Sequence, residues 1–113
     1  MSINAIFANL SCYNLETSSE WYRTLFDREP DVRPMKGLCE WHLGETAGFQ
    51  LFENPDKAGR GTLTLIVSDL QQERKRLAHA GIDVGDIEEA DYTVITRLSD
   101  PDGNLIVLAR HKH

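Results

Sequence analysis

The chain has 113 residues, 41% of them hydrophobic and 27% charged, the composition of an ordinary globular protein rather than a disordered or collagen-like one. Twelve basic against eighteen acidic side chains leave a formal charge of −6, which argues against nucleic acid or an anionic membrane as the main partner. No run approaches the roughly 18 apolar residues of a membrane span, and Met1-Ser2-Ile3-Asn4 opens no basic-then-apolar leader, so a single cytoplasmic domain is expected.

Ile3 to Tyr13 alternates, with Ile6, Ala8, Leu10 and Cys12 on one face and Phe7, Asn9, Ser11 and Tyr13 on the other, which predicts a half-buried strand with a polar second face. Asn14 or Thr17 can cap the helix that follows, and Thr17-Ser18-Ser19-Glu20 fits a capping box. Trp21, Tyr22, Leu25 and Phe26 form its apolar stripe. Pro30 and Pro34 make residues 27–36 a loop and a poor edge strand, after which residues 38–43 and 49–52 read as better strands around a turn at Gly44-Glu45-Thr46. Cys12 and Cys39 make no disulfide framework and no Cys-x-x-Cys pair, and in strand-like contexts each reads as a small buried hydrophobe.

Residues 55–61 form a loop-rich linker near the middle of the chain. Residues 62–68 are again a strand, Ser68 or Asp69 caps a second helix with Leu70, Leu77 and Ala78 inward, and Gly81 ends it as a C′ glycine. A short strand is expected over 82–88. Residues 92–98 and 105–109 then make a hairpin about Asp100-Pro101-Asp102-Gly103-Asn104, where Pro101 presets φ and Gly103 supplies a positive φ at no steric cost. His79 beside Arg74, Lys75 and Arg76 reads as solvated, and His111-Lys112-His113 as a terminal tail.

The order strand, helix, three strands occurs twice, and Asn14-Leu15 and Asp69-Leu70 mark the same strand-to-helix junction 55 residues apart. A module of about 50 residues with one helix cannot cover both faces of its sheet, so two copies should pair and leave one sheet face each for a shared groove. The expected fold is α+β, with βαβββ modules at 1–54 and 62–110. Open sheet edges left by such a duplication would also favour a homodimer.

This order, with Trp21-Tyr22 in the first helix, Val67-Ser68-Asp69-Leu70 and Ala80-Gly81-Ile82 around the second, and the Asp100 to Asn104 turn, resembles the vicinal oxygen chelate superfamily of glyoxalases, bleomycin-resistance proteins and extradiol dioxygenases. The resemblance implies a divalent ion held by His or Gln from the first strand, Glu from the fourth, His from the fifth and Glu from the eighth. Carried onto this chain, those positions fall on Phe7, Gln50, Thr62 and Val107. Only Gln50 could coordinate, and a slip of two residues gives Ala5 or Asn9, Thr64, and Leu105 or Ala109, none of which restores a His and Glu set. No metal or other cofactor is therefore expected.

Phe7, Asn9, Gln50, Phe52, Thr62, Thr64 and Val107 would line the groove, an apolar wall with a few amide and hydroxyl groups suited to a small organic molecule. Trp41 and His42 are adjacent on a strand and so face opposite sides; either could meet the ligand, or Trp41 could be core and His42 surface. Tyr92 and Arg97 are further candidates, Arg97 either for an anionic group or as a solvated strand edge. Glu40 and His42, two apart on one strand face, could form an acid–base pair. The expectation is a metal-independent binder of an apolar or aromatic molecule, resembling the bleomycin-resistance branch. The alternative is a metal-dependent lyase, isomerase or dioxygenase with displaced ligands.

Overall fold

A computed structural model describes residues 1–112. Strand β1 (Ile6–Cys12) leads into helix α1 (Leu15–Phe26), followed by β2 (Val32–Met35), β3 (Leu38–His42) and β4 (Ala47–Glu53). After a single 3-10 turn at Pro55–Lys57, the pattern repeats as β5 (Thr62–Ile66), α2 (Leu70–His79), β6 (Glu88–Glu89), β7 (Thr93–Ser99) and β8 (Leu105–His111). The two sheets have matching orders, β1-β4-β3-β2 and β5-β8-β7-β6. In each, the first strand runs parallel to the last and the other neighbours are antiparallel. This is the expected α+β duplication.

The two-residue period of the strands decides the layering. Leu10, Cys12, Cys39, Trp41, Phe49 and Leu51 are buried on the face of the first sheet that α1 covers with Tyr22 and Leu25. The rings interlock there, with Tyr22 at 4.8 Å from Phe49 and Phe26 at 5.5 Å from Trp41. Leu63, Val94, Leu98, Ile106 and Leu108 do the same beneath Leu70 and Leu77 of α2, and the buried residues of both halves form one continuous core. Both cysteines are fully buried free thiols. Burial, aided by the nearby Asp102 carboxylate, pushes the Cys12 thiol up to about 12.

Several local expectations change. Asn14 caps α1, its Oδ1 accepting the Thr17 amide at 3.0 Å, so the helix starts a turn before a Thr17 capping box would allow. Ser18 and Ser19 are consequently turned into the protein. In α2, Leu70 and Leu77 lie seven residues apart on one stripe, and Ala78, a further 100° round, is exposed. Gly81 (φ 86°) does close the helix, with Gly81 and Ile82 amides returning to the Ala78 and Leu77 carbonyls. Residues 82–87 form no strand: the Gly85 carbonyl accepts from Arg74 and the Thr96 hydroxyl at 2.7 and 2.8 Å, which takes it out of a ladder. In this stretch the ladder with β7 is confined to Glu88–Glu89, preceded by a single bond from the Gly85 amide to the Arg97 carbonyl. His111 belongs to β8 opposite Thr93 rather than to a tail, and His113 lies outside the described residues.

The turn from Asp100 to Asn104 does more than reverse the chain. The Asp100 carboxylate, buried, accepts from the amides of Asp102 and Asn104 at 2.9 and 2.8 Å, the Asn104 side-chain amide at 2.8 Å and the Tyr22 hydroxyl at 2.6 Å. Asn104, with no exposed surface, also donates to the Ser11 carbonyl and accepts from the Gly61 amide. Asp102 accepts from the Ser18 hydroxyl and the Tyr13 amide. The second module's hairpin is thereby fastened to β1 and α1 of the first. Close approach makes Gly59 necessary, because a Cβ there would strike the Asp102 backbone carbonyl at a positive φ, and at Gly61 a Cβ would displace the Leu10 side chain.

Candidate functional site

The faces of the two sheets turned away from the helices carry most of the candidate residues. Strand register aligns Asn9, Gln50 and Glu40 in one row across β1, β4 and β3, and Phe7, Gly48 and His42 in the next. The first row is joined by hydrogen bonds: Asn9 Nδ2 donates to Gln50 Oε1 at 3.3 Å, and Gln50 Nε2 donates to Glu40 Oε1 at 3.0 Å. Glu40 Oε2 then meets His42 Nε2 at 2.8 Å. The relay ends at Phe7, whose ring stands edge-on to the imidazole at 5.9 Å and lies over Gly48, where a Cβ would collide with it.

Electrostatics favour an ionised Glu40. The hydrogen bond from Gln50 and then that from His42 hold its carboxyl below the usual carboxylate range. His42 is positioned from behind: its amide donates to Asp31 Oδ2 at 2.6 Å, and its carbonyl accepts from Arg28, which also pairs with Asp31. The His42 amide, more than the arginine, keeps Asp31 acidic. With its side chain 47% exposed against 14% for Glu40, His42 presents the free edge of the pair to solvent.

On the second sheet the corresponding rows are Thr64, Val107 and Arg97, and Thr62, Leu105 and Ser99. Arg97 donates from Nε to Glu88 Oε2 at 2.8 Å, so its charge is partnered across β7 and β6. Phe52 shares the open face of the first sheet in a row with Ser11 and Leu38. Phe7, Asn9, Gln50, Glu40 and His42 are thus brought together, while Thr62, Thr64, Val107 and Arg97 form a second group on the other module. Trp41 drops out of the set: it is fully buried on the helix side, its indole donating to the Arg28 carbonyl. Tyr92 stands 81% exposed in the turn before β7, outside both groups of rows.

The four positions where the superfamily holds its ion do not fit a divalent cation. Phe7 and Val107 present hydrocarbon, Thr62 a neutral hydroxyl, and both ends of the Gln50 amide are engaged within the relay. Among the described residues, no three His, Cys, Asp or Glu side chains gather as a cation site would need. Sequence reasoning missed Asp31 and Arg28 behind His42 and Glu88 beside Arg97, since nothing in local periodicity links a loop residue to a strand eleven residues on. Gly48 was findable, two residues before Gln50 and therefore on the same face.

Two mixed βαβββ sheets, each covered by one helix and bare on the other face, define a class of duplicated open-sheet proteins. Residues 6–109 match the model of the glyoxalase-like domain family, and the chain belongs to that family, within the vicinal oxygen chelate superfamily. A glyoxalase / bleomycin resistance protein from Catenulispora acidiphila superposes with a TM-score of 0.88 at 27% identity, over 96% of this chain and 99% of that one. TnmS3, an antibiotic binding protein from Streptomyces sp. CB03234, is similar at TM-score 0.83 and 19% identity, over 96% and 95% of the two chains. A bleomycin-binding protein complexed with bleomycin gives 0.78 and 19%, over 96% and 99%. No curated protein matches.

Proposed function

We propose that this protein is a cytoplasmic homodimer that binds a small apolar or aromatic organic molecule on the open sheet faces without a metal ion. The observation that carries this reading is the replacement of a metal-ligand set by Phe7, Gln50, Thr62 and Val107, with the Asn9-Gln50-Glu40-His42 relay occupying the space beside them. An aromatic wall next to partly exposed amide, carboxylate and imidazole groups is the mixture that small-molecule sites use. The likeness in fold to a bleomycin-binding protein and to an antibiotic binding protein supports the same reading. Exposed Val32 and Met35 on the edge strand β2 supply an apolar surface for a second copy. Two unpaired buried cysteines suit a reducing compartment.

Isothermal titration of the untagged protein against a panel of metabolites and antibiotics, paired with elemental analysis, tests this. A ligand bound by metal-free protein, with affinity falling in Phe7→Ala and Gln50→Leu, is the expected result. A stoichiometric divalent ion needed for binding would overturn it in favour of a metal-dependent lyase, isomerase or dioxygenase. Light scattering at micromolar protein should give the mass of a dimer.

The 2.8 Å contact of Glu40 with His42 favours a second reading, in which the imidazole acts as a general base on the bound molecule. Turnover of the ligand that disappears in His42→Ala while binding persists would establish it.

A further inference from the structure

Behind the sheets, on the helix side, a cleft of about 470 Å³ opens where the C-terminal end of α1 meets α2 and the end of β5. Its volume falls within the range of ligand sites, and it lies at a junction of two modules, where such sites concentrate. Phe26, Leu43, Leu65 and Val67 supply apolar walls from both halves of the chain. Three ionisable groups line it: Asp27, Glu73 and Arg76.

Most of the Arg76 guanidinium is committed within the protein. Its guanidinium donates to the Thr24 and Leu25 carbonyls at 2.7 and 2.6 Å, capping the end of α1, and pairs with Glu73 at 2.8 Å. Glu73 and Arg76 therefore cancel. Asp27 is different. It ends α1 in the left-handed conformation (φ 56°), and the cations nearest in sequence are committed elsewhere, Arg23 to Glu29 and Arg28 to Asp31. Among the described residues the Asp27 carboxylate makes no ion pair, so one unpartnered carboxylate stands at the exposed rim of an apolar cleft, where it can meet the ammonium of a ligand whose hydrocarbon body enters the cleft.

We propose that this cleft is a second ligand site, distinct from the open sheet faces, for a small apolar amine whose ammonium group pairs with Asp27 and whose hydrocarbon body packs on Phe26, Leu43, Leu65 and Val67. It is independent of the function proposed above, because it shares no residue with the Asn9-Gln50-Glu40-His42 relay.

The test uses 2-phenylethylamine and its neutral analogue 2-phenylethanol as probes, followed by amide NMR shifts of the whole chain at neutral pH. Saturable shifts at Asp27, Leu43 and Val67 are expected, with the alcohol bound about fivefold more weakly, as the loss of one ion pair at an exposed carboxylate implies. Asp27→Asn keeps a residue that tolerates the left-handed conformation and should bring the amine down to the alcohol's affinity. Ile66→Lys, at an exposed position on the rim, should weaken the amine and spare the alcohol. Equal binding of the two probes, absence of saturable shifts in the cleft, or shifts centred on Phe7 and Gln50 would overturn the proposal. A failed ligand panel at the open faces would leave it standing.

Discussion

Two polar networks in this small protein use similar side chains to opposite ends. Around Asp100, four donors converge on one carboxylate, and the neighbouring Asn104 is sealed from water. Around Glu40, the hydrogen bonds are slightly longer, at 3.0 and 2.8 Å, and the last hydrogen-bonding member is a half-exposed histidine. A buried network with every partner supplied rigidifies and specifies an arrangement, since losing one member leaves the others stranded. An open network keeps valence for something outside. The first joins the two modules, and the second faces where a ligand would sit.

Removing one member of each network should separate them most sharply. Asp100→Ala strands the Tyr22 hydroxyl and the Asn104 amide in the core and should cost about 3 kcal/mol or more in urea unfolding. Tyr22→Phe removes one of four donors from the same carboxylate and should cost about 1.5 kcal/mol, with the rest of the brace intact. By contrast Gln50→Leu, on the open face, should change stability by only about 0.5 kcal/mol, yet shift the Glu40 titration. Equal losses in Asp100→Ala and Gln50→Leu would erase the distinction between the two networks.

Titration sharpens the comparison further. Glu40 is held below the ordinary carboxylate pKa of about 4.3 in the folded protein. Its contribution is therefore present above that value and lost as the pH falls through the folded pKa. Asp31, lowered chiefly by the His42 amide, follows the same sign. Acidification should thus loosen the Asp31-His42-Glu40 edge only below the ordinary carboxylate range, seen as movement of the His42 amide resonance in an NMR titration. In Gln50→Leu the Glu40 carboxyl should titrate closer to its ordinary value; an unchanged midpoint would mean that the amide does not set it. The smallest effect concerns Cys12, whose thiol should resist a thiol reagent at neutral pH until the protein unfolds, because burial keeps it protonated.

Much of the architecture was legible because it rests on local chemistry. Alternation along β1, the Asn14-Leu15 and Asp69-Leu70 junctions, Gly81 after α2 and the Asp100 to Asn104 turn each act within a few residues, and together they specify two copies of one module. The same alternation placed Phe7 and Asn9 on a common face, the family resemblance set Gln50 beside them, and alternation put Trp41 and His42 on opposite faces without saying which was which. Burial against Tyr22 and Phe49 decided that question in favour of Trp41 as core.

By itself the sequence determined the duplicated α+β fold, the two-residue faces of the strands and the absence of a His and Glu set at the superfamily's ligand positions, since period, capping and residue type are properties of short segments. Only the tertiary structure decided the rest. Asp31 and Arg28 come to back His42, Glu88 to neutralise Arg97, and Tyr22 to close on Asp100, through contacts between segments whose distance along the chain carries no local signal. The reason is physical: hydrogen-bond partners are selected by proximity after the layers pack, so a turn that looks like a simple chain reversal becomes the brace between two modules.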